Sequence, residues 1–374
     1  MTPLKIVMVS AGFWPSIGGA ERQALELSAA LAARGHAVTV LTRRVGGLPA
    51  SETVRGVTVR RLPSPGGVLD APVFLSCVFA WLMLHWTEWD AAHAHLAGSP
   101  AIAAALAGRM LGRPALVKLG GGRGIGELAV SSKSAAGRAK LRVLGLLRPR
   151  FLAVVPDLAE EARAFLGPVP IEVLPNGVDA ERFHPVDAAA KRALRAELGW
   201  DEGATVFLYA GRFSWEKRLP WFLKLWREAA SERARMALVG SGPTEKEIAA
   251  EASLGRAEIL PAREDLTGLY AAADVFVLPS VSEGLSNALL EAMSSGLATL
   301  GSRVGGTAET ISDGQTGLLF DRDDEKALRA AVERLESEKG LAVRLGAAAR
   351  AEVEKRYAME RVVARLEELY RLGN

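Results

Sequence analysis

A chain of 374 residues is longer than one hydrophobic core usually serves, so two domains are expected. With 49% hydrophobic and 24% charged residues it has the composition of an ordinary soluble globular protein, and its single cysteine, Cys77, excludes disulfide frameworks and thiolate metal clusters and fits a reducing, cytoplasmic compartment. The net charge of +3 is unevenly spread: residues 1–170 hold 19 Lys/Arg against 10 Asp/Glu, and the remainder 27 against 33. A basic first half suggests an anionic partner there, either an acidic acceptor or a membrane surface. Its basic stretches lack the interleaved aromatics of single-strand nucleic-acid binders, so no nucleic-acid partner is expected.

In chain order, Lys5–Val9 reads as a buried strand and not as a charged leader. A turn, Pro15-Ser16-Ile17-Gly18-Gly19-Ala20-Glu21, leads into a helix from Ala20 to Arg34 that Gly35 caps. Further strands are expected at Ala37–Thr42, Val57–Leu62, Ala92–His95, Ala115–Leu119 and Phe151–Val155. The longest apolar run, Val73 to Leu84, is too short to span a bilayer and reads as a core helix, with membrane contact as the alternative. Pro175-Asn176-Gly177 punctuates the chain, which places a linker at about 165–185. A second series follows at Thr205–Ala210, Arg235–Val239, Ala257–Leu260, Val275–Leu278, Ala298–Gly301 and Gly317–Phe320. The last helix, Met359 to Arg371, carries Val362, Val363, Leu366, Leu369 and Tyr370 at helical spacing. Strands alternating with helices predict parallel βαβ units. The fold class is therefore α/β, with two doubly wound, Rossmann-like domains facing across a cleft at the carboxyl ends of their strands, where open sheets bind ligands.

The strongest chemical signal is Pro279-Ser280-Val281-Ser282-Glu283-Gly284-Leu285-Ser286-Asn287-Ala288-Leu289-Leu290-Glu291. A strand ends in a polar loop, and a helix starts near Ser286 with its N–H groups and positive dipole end available to a phosphate. Glu283 precedes that point, and Glu291 follows it by ~7 Å at ~1.5 Å per residue. Two carboxylates at such a point suit sugar hydroxyls; the bland alternative is a helix cap and a surface residue. Gly211-Arg212-Phe213-Ser214-Trp215-Glu216-Lys217 sets two cations at another strand's carboxyl end, as a diphosphate requires, although solvated loop charges would read the same. Gly18 and Gly19 allow a close backbone approach, or make a plain tight turn.

Together these residues resemble the retaining glycosyltransferases of family 4, which have the GT-B fold. Glu283 and Glu291 match the family's paired glutamates, Pro175 to Asp179 its linker, and Gly211, Arg212 and Lys217 its Gly-Arg…Lys element. Val239 to Pro243, Val304-Gly305-Gly306…Glu309 and Asp313…Gly317 match its later turns. The resemblance implies a donor domain at 171–356, and an acceptor domain at 1–170 with a C-terminal helix at about 357–374 packing back on it. It implies transfer of a sugar from a nucleotide diphosphate-sugar with retention of configuration, no required metal and no other cofactor. Glu283 would hold hydroxyls of the transferred sugar and Glu291 those of the ribose. Arg212 and Lys217 would neutralise the diphosphate, helped by the backbone of Gly284, Leu285, Ser286, Asn287 and Ala288. Gly18 and Gly19 would face the same phosphates. The base would lie near Gly240, Gly242, Leu260 and Ala262.

The sequence departs from the family at one place. A His often follows the strand equivalent to Ala115–Leu119, and here the chain reads Lys118-Leu119-Gly120-Gly121-Gly122-Arg123. Lys118 and Arg123 become candidates for contacting an anionic acceptor. His95, at another strand end, is either an acceptor contact or a structural His. A basic amphipathic stretch, Lys133 to Arg150, is either an ordinary acceptor-side helix or a peripheral contact with the inner face of a membrane, the latter with a lipid-linked acceptor. Rival readings are a nucleotide-sugar epimerase of the same fold, a non-catalytic nucleotide-sugar binder, and a nicotinamide enzyme using Gly124-Ile125-Gly126-Glu127-Leu128-Ala129. The last lacks an acidic residue about 20 positions on. Asp321-Arg322-Asp323 has the form of a metal signature but reads here as a turn and helix cap.

Overall fold

The structure, a computed structural model, describes residues 2–15 and 18–372. Ser16 and Ile17, within the expected turn after the first strand, lie outside the described residues. The chain forms two compact units, Met1–Gly177 with Met359–Asn374, and Val178–Ala358.

The first unit is built on an eight-stranded sheet, β1 (Lys5–Ser10), β2 (Ala37–Arg43), β3 (Ser51–Val54), β4 (Val57–Leu62), β5 (Ala91–His95), β6 (Ala115–Lys118), β7 (Arg150–Ala153) and β8 (Ile171–Val173). Its spatial order is β3-β4-β2-β1-β5-β6-β7-β8, and only β3 runs antiparallel to its neighbour. Ile6 to Val9 are all buried, as an apolar run covered on both faces requires. The order reverses between β1 and β5, and this switch point is where such sheets open a crevice. Ile171–Val173 is an edge strand of this sheet, so the first unit runs past 170 and the chain leaves it at Gly177, inside the expected linker.

One face of the sheet is covered by the helices Gly19–Ala33 and Met359–Arg371, through Leu27, Leu31, Val362 and Leu366 against Ile6 and Met8. Polar contacts fix the second helix. Arg34 donates two hydrogen bonds to Glu367, of 2.9 and 2.8 Å, and His36 Nε2 lies 2.7 Å from the same carboxylate. The bond from Arg34, aided by His36, holds Glu367 down at about 2. Tyr370 OH lies 2.7 Å from His93 Nδ1, and Arg365 donates to Glu172 at 2.6 Å.

The expected core helix differs from its reading. A 3-10 turn, Gly67–Leu69, continues into the helix Asp70–Leu84. Those 18 residues have a mean hydropathy of 1.9 and only 22% of them are buried, so by length and composition alone the segment is long enough to cross a membrane. In the fold, its stripe of Phe74, Val78, Trp81 and Leu82 is buried, and it packs beside the helix Ser99–Leu111.

The second unit carries a six-stranded parallel sheet of β9 (Thr205–Ala210), β10 (Ala234–Val239), β11 (Ala257–Leu260), β12 (Val275–Leu278), β13 (Ala298–Ser302) and β14 (Leu318–Phe320), ordered β11-β10-β9-β12-β13-β14. Its switch point lies between β9 and β12.

Candidate functional site

Two loops meet at the switch point of the second sheet. The first leaves β9 at Gly211 and contains Arg212 and a 3-10 turn, Trp215–Lys217. It is tied sideways to the loop after β10, since Phe213 N donates to Ser241 O at 2.8 Å and Thr244 N to Phe213 O at 3.1 Å. Gly240 permits this contact: it sits at φ +152°, and a Cβ there would collide with the Gly211 carbonyl. The second loop leaves β12 and reaches the helix Asn287–Ser294. Val281 N donates to Glu216 O at 2.8 Å and joins the two loops through their backbones.

Across that joint, Lys217 Nζ forms an ion pair with Glu283 Oε1. Ser280 Oγ, fully buried, donates to the same oxygen at 2.8 Å, and the Ser280 carbonyl accepts from Ser302 Oγ. Glu283 is itself 9% exposed. Its backbone is held from beneath, where Gly306 N donates to Glu283 O at 3.1 Å and any side chain at 306 would run into the Gly284 carbonyl. Arg212 is exposed, and its guanidinium makes no hydrogen bond or ion pair among the described residues. Its carbonyl accepts from Tyr209 OH at 2.9 Å. Burial, with the charges of Glu283 and Glu216 behind it, raises the Tyr209 hydroxyl well above its ordinary range, so it stays a neutral donor.

Ser286 caps the helix, accepting from Leu289 N at 3.3 Å, which sets the positive helix end beside the Glu283 loop. Gly284 and Leu285 are buried, whereas Ser286, Asn287 and Ala288 are partly accessible. Glu291 is no surface residue: it is 5% exposed and accepts from Tyr270 OH at 3.0 Å. Gly240, Gly242, Leu260 and Ala262 follow or end β10 and β11, on the same carboxyl edge. The expected donor residues of this unit therefore lie along one sheet edge. Ser280, Tyr270 and Ser302, which orient the two glutamates, carry no signal in the sequence beyond lying near the paired-glutamate stretch.

Asp321 pairs with Arg303 at 3.1 Å and Asp323 with Arg218 at 3.0 Å, while Asp324 caps the helix Glu325–Ser337. No group of three or more His, Cys, Asp or Glu side chains converges as a metal site among the described residues.

In the first unit Gly18 caps the helix Gly19–Ala33, and the Glu21 carboxylate lies over Gly18 and Gly12. His95 and Lys118 end adjacent strands in register. Both are buried; burial, with Lys118 adding its charge, lowers His95 to about 3, and burial lowers Lys118 to about 7. His95 stacks on His93 with centroids 4.7 Å apart. Arg123 is exposed and ion-paired to Asp157. Sequence reasoning passed over Glu127 except as part of a rival motif. It accepts from Gly120 N at 3.2 Å, and burial raises it to about 7.

Residues 204–338 match the family model of the glycosyl transferases group 1, and residues 17–182 that of glycosyltransferase family 4. The chain belongs to glycosyltransferase family 4. Among its relatives, a D-inositol 3-phosphate glycosyltransferase of Streptomyces scabiei is 28% identical over 94% of this chain and 87% of its own. An alpha-maltose-1-phosphate synthase of Mycobacterium tuberculosis is 28% identical over 68% of each chain. The fold is that of HepE from Anabaena, solved with UDP and glucose, at a TM-score of 0.79 and 18% identity over 98% of both chains. A sucrose-phosphate synthase of Thermosynechococcus elongatus gives a TM-score of 0.79 at 22% identity, again over 98% of both. Both units thus have the GT-B type of Rossmann-like fold. Like its family, the protein is a retaining glycosyltransferase that draws on a nucleotide-sugar donor, which sets aside the epimerase, the silent binder and the nicotinamide enzyme.

Proposed function

We propose that the second unit binds the nucleotide diphosphate-sugar along the carboxyl edge of β9 to β12, and that the first unit binds the acceptor. The observation that carries this reading is the Lys217–Glu283 pair at the switch point, with the Arg212 guanidinium on the same loop making no hydrogen bond or ion pair among the described residues. Arg212 and Lys217 bind the diphosphate, with the helix start from Leu285 to Ala288 as a further anion-stabilising dipole. Glu283 accepts hydroxyls of the transferred sugar and Glu291 those of the ribose; the base rests near Gly240, Gly242, Leu260 and Ala262. Gly18 and Gly19, at the start of the helix Gly19–Ala33, let the backbone of the first unit approach a phosphate closely.

In this reading fixed cations stabilise the leaving diphosphate as its charge grows, and no divalent ion is needed. Retention then follows a front-face course: the glycosidic C–O bond to the phosphate breaks, the acceptor oxygen bonds to the same face of the anomeric carbon, and the departing phosphate oxygen takes the acceptor proton. Thermal stabilisation by UDP, GDP and ADP tests the donor assignment and reads out the base. A ligand at 100 times its dissociation constant adds ~2.7 kcal/mol. Stabilisation by none of the three would defeat it.

The acceptor, in this reading, is anionic or lipid-linked, made in the biosynthesis of a glycan, polysaccharide or glycolipid, and is met at His95 and Lys118, with Arg123 beyond them. Peripheral membrane contact in the cytoplasm is favoured by the helix Ala135–Leu147, which buries Leu141 and Leu144 but exposes Arg138, Arg142, Val143 and Leu146. Sedimentation with vesicles of neutral and of anionic lipid tests it: equal, negligible pelleting removes the membrane contact and leaves the transferase.

A further inference from the structure

Three strands end side by side at the switch point of the first sheet. The register pairs Ser10 with His95 and His95 with Lys118, so their side chains leave one face of the sheet at its carboxyl edge. The chain then turns sharply. Leu96, directly after His95, has φ +74°, a conformation bulky residues rarely adopt, and its N–H donates to Lys118 O at 2.9 Å. His95 is 4% exposed and Lys118 is 8% exposed.

Neither side chain finds a polar partner among the described residues for its terminal nitrogen, Lys118 Nζ or His95 Nε2. The Lys118 ammonium makes no hydrogen bond or ion pair among the described residues, and the buried Nε2 of His95 has no partner. The Ser10 hydroxyl donates to Gly12 O at 2.6 Å and makes no hydrogen bond to either side chain among the described residues. Arg123, further along the loop after β6, already has Asp157. A buried cation without a counter-ion is costly, and proteins keep one mainly where an anion arrives. Burial lowers the Lys118 ammonium, and no carboxylate among the described residues offsets it.

We propose that the Lys118 ammonium and the Nε2–H of a neutral His95 form an anion subsite of the first unit, which receives a phosphate or carboxylate group of the acceptor and selects an anionic over a neutral acceptor. This rests on the reading of the first unit as the acceptor side. Lysine supplies a point charge and the neutral imidazole one directed donor, a pair that suits a tetrahedral or planar oxyanion and gives an uncharged hydroxyl cluster donors only, with no charge to neutralise and no acceptor for its own protons.

The test uses the full-length protein, saturated with whichever nucleoside diphosphate stabilises it, so that the donor's own cations are occupied. Calorimetric titration with inorganic phosphate, acetate and D-glucose should show the two anions binding and glucose not. Lys118→Met should weaken phosphate binding by ~10- to 100-fold, and Lys118→Arg by much less. Nucleoside diphosphate affinity should stay within about twofold in both, since this subsite is not the donor's. Absence of anion binding by the wild type, or phosphate affinity unchanged in Lys118→Met, would overturn the subsite. So would a parallel loss of nucleoside diphosphate affinity, which would make Lys118 a partner of the donor diphosphate. If the wild type binds no nucleoside diphosphate at all, the donor reading fails separately. The anion titration then proceeds without nucleotide, with Arg212→Met reporting on the other cationic loop and Lys118→Met on this one.

Discussion

The Lys217 ammonium and the Glu283 carboxylate are ion-paired across the switch point of the second sheet, and the Lys217 contact falls on the oxygen that Ser280 also holds. On the proposed roles, a diphosphate reaching Lys217 would compete with Glu283 for the same ammonium and would leave the carboxylate open to sugar hydroxyls. Lys217→Met is expected to weaken nucleoside diphosphate binding and to lower turnover as well. Calorimetry alongside steady-state kinetics checks this; a variant that binds the diphosphate as tightly as the wild type would assign the charge elsewhere.

The two glutamates should separate kinetically. A hydrogen bond to a charged group is worth ~1.5–3 kcal/mol, or roughly 10- to 150-fold. Glu291→Gln should raise the donor's Michaelis constant and weaken nucleoside diphosphate binding. Glu283→Gln should chiefly lower turnover, with nucleoside diphosphate affinity nearly unchanged. Equal losses of nucleoside diphosphate affinity in both would undo the division into sugar and ribose contacts.

Tyr270→Phe removes the hydroxyl that Glu291 accepts from without changing the ring. The expected effect is a several-fold loss of nucleoside diphosphate affinity, about 1 kcal/mol, with turnover at saturating donor preserved. A fall in turnover alone would mean that Tyr270 does not act through Glu291.

Gly306→Ala would push against the Gly284 carbonyl and shift the loop that carries Glu283. Turnover should drop well beyond any loss of global stability, which equilibrium denaturation measures in parallel. Unchanged turnover would show that the loop tolerates the displacement.

Much of this was legible in the sequence. The strands of both sheets follow from apolar runs punctuated by glycine and polar turns, and the paired glutamates stand out because a buried strand ends directly before them. The edge strand Ile171–Val173 was not legible, since three residues before a proline look like linker until a neighbouring strand pairs with them. Nor was the exposure of the helix Asp70–Leu84, whose burial depends on what covers it and not on its own hydropathy. Ser280 and Tyr270 escaped for a related reason: a serine before a turn and a tyrosine in a short helix mean nothing until a carboxylate lies within reach.

Glu367 gives a test of stability and pH together. Its pKa is depressed to about 2 against an ordinary 4.5, so its stabilising effect is complete above about pH 4.5 and is lost as pH falls through about 2. Glu367→Gln should destabilise the protein by ~1.5–3 kcal/mol at neutral pH, and its deficit should shrink towards pH 2. Denaturation at several pH values checks this. A pH-independent deficit would mean that the charge is not what matters.

Activity should survive chelation, because Arg212 and Lys217 are assigned the diphosphate charge. Activity abolished by chelator and restored by manganese would reject that assignment.

The helix Met359–Arg371 completes the core of a unit whose other elements all lie before Gly177. On the ribosome, residues 178–358 emerge in one piece and can fold as soon as they do. The earlier unit must wait, with the faces of Ile6, Met8 and Leu31 unprotected, until residues from the far side of its neighbour have been made. Premature termination anywhere after residue 358 would thus leave the later-made unit whole and injure the earlier one, and a chaperone engaged during translation should be found on the first unit.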